Sequence, residues 1–225
     1  MSRLTEFSRL LRSKKDLMLC IFLTLMLQLS ISIATMKFDQ ERQLLKDHNS
    51  LMMTTVSIII ILFIIYKIRD PKLPFFVKQL LFTAISIFFG LLLSQVVHFI
   101  DDKKVVEAAA ISTLVNFVVL LLVGMVIVYF KYDLSWMGIF LLIALLGVII
   151  TRIFLLFTDK DQQGESNYYL SRFVVLLFSL YIVYDTNNIL LKYKNKDKTH
   201  CMIGALEYYL DIVNLFTEYL RINSE

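Results

Sequence analysis

The sequence predicts an all-α integral membrane protein with seven transmembrane helices, and three observations carry that prediction. Of its 225 residues, 58% are hydrophobic and 19% charged, with a mean hydropathy of +0.70, a balance that suits lipid rather than water as the solvent. Seven apolar runs, at about 17–36, 51–66, 79–100, 105–130, 134–157, 173–191 and 202–220, each approach the roughly 20 residues that cross a bilayer. These runs are continuous instead of alternating in segments of about ten residues, so helices rather than barrel strands would satisfy their backbone.

In chain order, residues 1–16 read as a cytosolic N-terminal segment, 17–221 as one transmembrane domain and 222–225 as a short tail. The run at 17–36 is too long for a signal-peptide core and no small-residue cleavage site follows it, which makes it an uncleaved anchor. Short polar connectors separate the later runs. Two Pro, six Gly and no low-complexity tract or solenoid-period repeat leave little material for a second domain. The connectors at 1–16, 67–74, 131–133 and 192–201 carry about twice as many Lys and Arg as those at 37–50, 101–104, 158–167 and the tail. The positive-inside rule then places the N-terminus in the cytosol and, if the last run crosses, the C-terminus in a lumen or outside the cell. The net charge of +4 lies mostly in these connectors, where it orients the chain, so no nucleic-acid partner is expected. Cys20 falls inside an apolar run and Cys201 beside a basic loop, so neither a disulfide framework nor paired metal-ligand spacing is expected.

An ionised carboxylate in hydrocarbon is costly, so deep acids point to function. Asp185 lies in FVVLLFSLYIVYDTNNILL, about 9 Å inside the cytosolic boundary. Asp211 lies about 13 Å from the same boundary in the following run, and the two runs form an antiparallel hairpin about 192–201. Glu207, Asp211, Asn214, Glu218 and Arg221 recur at spacings of 4, 3, 4 and 3, which puts all five on one stripe of a helix. Such a stripe lines a wet path or a polar bundle interior; the bland alternative, a helix lying in the interface, usually carries Lys and Arg rather than acids. Two facing carboxylates would share a proton, which makes the pair a pH sensor, and when both ionise they repel and become hard oxygen ligands suited to Ca²⁺. The competing structural role is interhelical hydrogen bonding to a nearby Tyr, Thr or Asn.

Asn188 and Glu107 join Glu207, Asn214 and Glu218 as candidate pore-lining residues, although Glu107 also suits a helix N-terminus. Arg152 is a candidate charge partner for the acidic stripe that can otherwise snorkel, and Lys78 reads as a snorkeller. Ala108, Ser112 and Asn116 share a face suited to close helix packing. His98 and His200 read as solvated loop-end residues without partners, and Trp136 as an interfacial anchor.

YDTNNIL at 184–190, followed by GALEYYLDIVNLFTEYLR at 204–221, resembles the last two helices of the transmembrane Bax inhibitor motif (lifeguard) family, most closely its Golgi anti-apoptotic branch. Weaker echoes are MLQLSIS at 26–32, LLFTAISIFFG at 80–90, VVEAAAISTLVNFVV at 105–119 and DLSWMG at 133–138. The resemblance implies a last helix that is central and ringed by the other six, a pH-sensitive Ca²⁺ leak through ER or Golgi membranes, and protection from apoptosis. It assigns the proton-sharing pair to Asp185 and Asp211, which also become the transient Ca²⁺ contacts. A bacterial relative adds an Arg from its second helix, whereas 51–66 here contains no basic residue. Glu207 and Glu218 look like additions to the family pattern, and the tail RINSE lacks the lysine-rich end of the ER-type branch. Compact members occur in large DNA viruses, so a viral copy acting in host membranes fits as well.

The leading expectation is therefore a pH-gated cation leak with no cofactor, Ca²⁺ being the permeant ion and lipid, Ca²⁺ and protons the partners. The alternative is a non-conducting regulator of cell death that acts through protein partners such as cell-death regulators or calcium channels. Two intramembrane aspartates also resemble intramembrane aspartyl proteases, but the second sits in YYLDIV rather than GxGD, no Pro-Ala-Leu follows, and neither HExxH nor a nucleophile elbow is present. An enzyme is not expected.

Overall fold

The computed structural model describes residues 3–42, 64–70, 72–100, 102–155, 160–195 and 197–224, and among them there is no strand. Helix α1 spans Arg3–Arg42. No Gly or Pro interrupts the chain before Pro71, so helix runs on through residues 3–16, ahead of the first apolar run. Residues 64–68 are helical and are labelled α2. The rest of the run expected at 51–66 lies outside the described residues.

Pro71 and Pro74 separate α2 from α3, Phe75–Ile100. Asp102 caps α4, Lys103–Tyr129, by accepting from the Lys104 N–H at 2.8 Å. That helix stops at Lys131, whose φ of 65° is left-handed. Helix α5 spans Met137–Leu155, α6 Lys160–Leu191 and α7 Lys198–Ser224. Asp197 caps α7 by accepting from the Thr199 N–H at 2.8 Å.

Five helices among the described residues are long and apolar enough to cross a membrane: Arg3–Glu41, Phe75–His98, Lys103–Tyr129, Met137–Leu155 and Ser166–Leu191. Helix α7 has the length, at 27 residues, but its acidic stripe dilutes its hydropathy. Burial gives it a different character. From Thr199 to Ile222 none of its residues is exposed, and the same holds for residues 181–190 of α6.

The distribution of polarity is that of a protein turned toward lipid. Ile111, Leu114, Ile139, Phe140 and Phe154 are each more than 60% exposed, while Gln28, Ser32, Asp185, Thr186, Asn187, Asp211 and Glu218 are buried. A soluble domain would reverse that pattern, so the chain is a multi-pass membrane protein.

The described residues fall into two compact units. The first takes those of 1–12, 102–193 and 210–225, and is built on α6 packed against α4 and α5. The second takes those of 13–101 and 194–209. In it Ser32 Oγ lies 2.6 Å from Tyr209 Oη and donates to the Ser86 carbonyl at 2.8 Å, and Ser86 Oγ donates to Gln28 Oε1 at 2.8 Å. The segments MLQLSIS, LLFTAISIFFG and GALEYY thus meet in one buried polar network, which holds α1, α3 and the start of α7 together.

Four expectations are corrected here. Cys20 and Cys201 form a disulfide within the second unit, with Cα atoms 5.9 Å apart; 181 residues of separation had hidden a pairing made only by packing. Lys78 does not snorkel: it is 1% exposed, and its Nζ donates to Thr199 Oγ1 at 2.9 Å. His200 has a partner, its Nδ1 lying 3.1 Å from Asp197 Oδ2. The expected Ala108, Ser112 and Asn116 face turns inward only in part: Asn116 donates to Ser179 Oγ of α6 at 3.0 Å, but Ala108 is exposed and the fully buried residues are Ala109, Thr113, Phe117, Gly124 and Val128.

Candidate functional site

Within the first unit, the YDTNN segment is fixed residue by residue. Tyr184 packs its hydroxyl against Gly138 of α5, so closely that no Cβ fits there. Thr186 packs against Gly124 of α4, where an added Cβ would stand 2.7 Å from the threonine Cβ. Its hydroxyl turns back to the Ile182 carbonyl at 2.7 Å. Asn187 clasps the α4–α5 connection, accepting from the Leu134 N–H at 3.0 Å and donating to the Tyr132 carbonyl at 2.8 Å. Sequence reasoning passed over Asn187 in favour of its neighbour Asn188. A buried amide with donors and acceptors in balance is a packing device, and nothing in its spacing distinguishes the two.

With its neighbours pinned in this way, Asp185 is held 5% exposed, and Asp211 of α7 is 3% exposed. The Tyr181 phenol, one turn before Asp185, lies close enough to interact electrostatically with both carboxylates. Both aspartates are thus buried and within electrostatic reach of one tyrosine. Asn188 is buried beside them in sequence. Asn214 is half-buried and donates to the Leu210 carbonyl of its own helix at 2.7 Å. Glu107 lies on the exposed side of α4, away from this buried group.

Two turns beyond Asp211, Glu218 is gripped by arginines. Arg152 Nη2 lies 2.6 Å from Glu218 Oε2 and also donates to Ser171 Oγ at 3.2 Å. Arg221 Nη1 lies 3.7 Å from Glu218 Oε1. In the second unit Glu207 has an arginine of its own, Arg69 Nη2 at 3.5 Å. That residue lies three positions past the run searched for a basic side chain, just after α2, and its position at a helix end was the signal available in the sequence. Among the described residues no group of three or more His, Cys, Asp or Glu side chains is arranged to hold a metal ion.

The family model described as "Inhibitor of apoptosis-promoting Bax1" matches residues 14–224 of this chain. The chain belongs to the Bax inhibitor family. Among its relatives, Bax inhibitor 1 of Schizosaccharomyces pombe is 32% identical over 142 residues, 63% of this chain and 49% of that protein. LIFEGUARD 4 of Arabidopsis thaliana is 28% identical over 129 residues, covering 55% and 48% respectively. The BI1-like protein of the same plant is 31% identical over 90 residues, 40% of this chain and 33% of that one. The matches thus span about half or less of these relatives' length. The Bax inhibitor match takes in every candidate residue from Glu107 to Arg221.

Proposed function

We propose that this member of the Bax inhibitor family is a pH-sensitive Ca²⁺ leak channel of intracellular membranes, Golgi or ER, that inhibits apoptosis and is gated by Asp185 and Asp211 sharing a proton. In this reading the chain crosses the membrane seven times, with its N-terminus in the cytosol and α7 at the centre. The supporting observation is that two carboxylates, each at least 95% buried, lie within electrostatic reach of one phenol among helices whose outer faces are apolar. Close acids in a poorly hydrated interior share a proton, which keeps α6 and α7 together and the path closed. When the proton leaves, repulsion parts the helices and frees carboxylate oxygens to pass Ca²⁺.

The deciding experiment is Ca²⁺ flux into liposomes holding the purified chain, with a pH step. Flux should fall in acid, and Asp211→Asn should abolish the pH dependence. A rate indifferent to both treatments would remove the reading. The second reading, a non-conducting regulator that binds cell-death proteins or calcium channels, draws support from Arg69 and Arg152, which neutralise the other two acids of the α7 stripe. It predicts that an Asp185→Ala, Asp211→Ala double variant still protects cells from death.

A further inference from the structure

We infer that Arg152, Glu218 and Arg221 form an electrostatic latch that closes the ion path at the end of α7 away from the 192–197 connection. This inference rests on the leak reading and adds a second point of control to it. Glu218 follows Asp211 by seven residues, about 10.5 Å along the helix and within about 20° of the same face. An ion leaving the Asp185 and Asp211 level along this stripe passes Asn214 and then meets Glu218, the next acid.

What it meets is not an acid ready to bind a cation. Both oxygens of the 9% exposed Glu218 side chain are engaged, Oε2 by Arg152 at 2.6 Å and Oε1 by Arg221 at 3.7 Å. Arg152 is further held by Ser171 Oγ at 3.2 Å, so α5, α6 and α7 are tied at one point. Two guanidiniums against one carboxylate leave a net charge of +1, with Arg152 the less exposed and so the less screened of the two. A divalent cation is repelled until Arg152 swings away, and the released carboxylate then becomes its ligand. A buried ion pair adds little stability over an apolar packing, so stability alone gives no strong reason for charges here.

The test is Ca²⁺ flux in the full chain reconstituted in liposomes, for Arg152→Gln and Glu218→Gln side by side. Arg152→Gln should raise flux about tenfold, the factor that removing one unit charge about 6 Å from a divalent cation gives even at the dielectric of water. Glu218→Gln should lower it, because two guanidiniums then face the path without their counter-charge. A purely structural role would move both variants in the same direction. Arg152→Lys keeps the charge and should stay near the unsubstituted rate, while the partly exposed Arg221→Gln should show a smaller rise. These two variants carry the test if either glutamine substitution at the buried pair fails to fold. Variants that shift together, or not at all, in a protein whose pH-dependent leak is intact would overturn the latch alone. A chain that passes no Ca²⁺ at any pH would overturn the leak reading and the latch together.

Discussion

At the scale of single residues, α6 is positioned by two absent side chains. Gly124 and Gly138 let Thr186 and Tyr184 press onto the backbones of α4 and α5, and the aspartate between them is set by that fit. Gly124→Ala should therefore destabilise the protein by about 1–3 kcal/mol, since its Cβ would stand 2.7 Å from the Thr186 Cβ and force the helices apart. Gly147→Ala is the control: nothing lies within 4 Å of its Cβ, so it should be neutral or gain up to about 1 kcal/mol from helix propensity. Thermal unfolding in detergent measures both, and equal shifts would show that close packing at Thr186 does not matter. The acids Asp185, Asp211, Glu207 and Glu218 were legible in the sequence because a charge in an apolar run is conspicuous. Arg152 was already a candidate partner for that stripe, though charge alone did not single out Glu218, 66 residues away; Arg69 was missed, because it lies 138 residues from Glu207.

At the scale of elements, the ends of α3, α4, α5 and α7 were readable to within a few residues from apolar runs and from Asp, Pro and polar connectors, whereas α1 and α6 begin 14 and 13 residues ahead of their apolar runs, in polar sequence that hydropathy does not mark. The face that a uniformly apolar helix turns inward was readable only in part, as α4 shows, because Val, Leu and Ile occur all round it. The cap of α7 offers an element-level test. Burial pushes the Asp197 carboxyl up, but the hydrogen bond from the Thr199 N–H and the nearby His200 outweigh it and leave the group below its ordinary value. A carboxyl lowered on folding stabilises the protein above its unfolded value, and that contribution fades as pH falls through the folded one. Asp197→Ala should thus lose about 1 kcal/mol at neutral pH, and the difference from the unsubstituted chain should shrink as pH falls through the lowered folded value. A gap that persists in acid would rule out the charged cap as its source. The Cys20–Cys201 bridge, invisible to spacing, ties α1 to the start of α7. Reduction should lower stability by about 2–4 kcal/mol, toward the low end because spanning helices already restrict the unfolded chain. Cys20→Ala should reproduce the loss without reductant, and two thiols that label freely in unreduced protein would refute the bridge.

At the scale of the whole molecule, the controlling fact is that apolar side chains point outward and polar ones inward, and its sharpest consequence concerns a residue far from any site. Leu114 sits near the middle of α4 with 64% of its surface exposed. On a soluble protein, Leu114→Asp at such a position would be harmless or would improve solubility. In a bilayer it places a carboxylate in hydrocarbon at a helix centre, which costs about 2.5–3.5 kcal/mol on insertion scales, enough to lower the inserted fraction of an isolated α4 segment severalfold. Asp211 escapes that penalty because it is 3% exposed and enclosed by protein. The comparison is made by inserting α4 with and without the substitution into a reporter whose glycosylation records crossing. Unchanged insertion would mean that lipid does not cover this face. A marked loss, matched in the full chain by failure to reach the membrane while Asp211→Asn inserts normally, would separate the two environments: a lipid-facing shell that tolerates no charge, and an interior that shelters several.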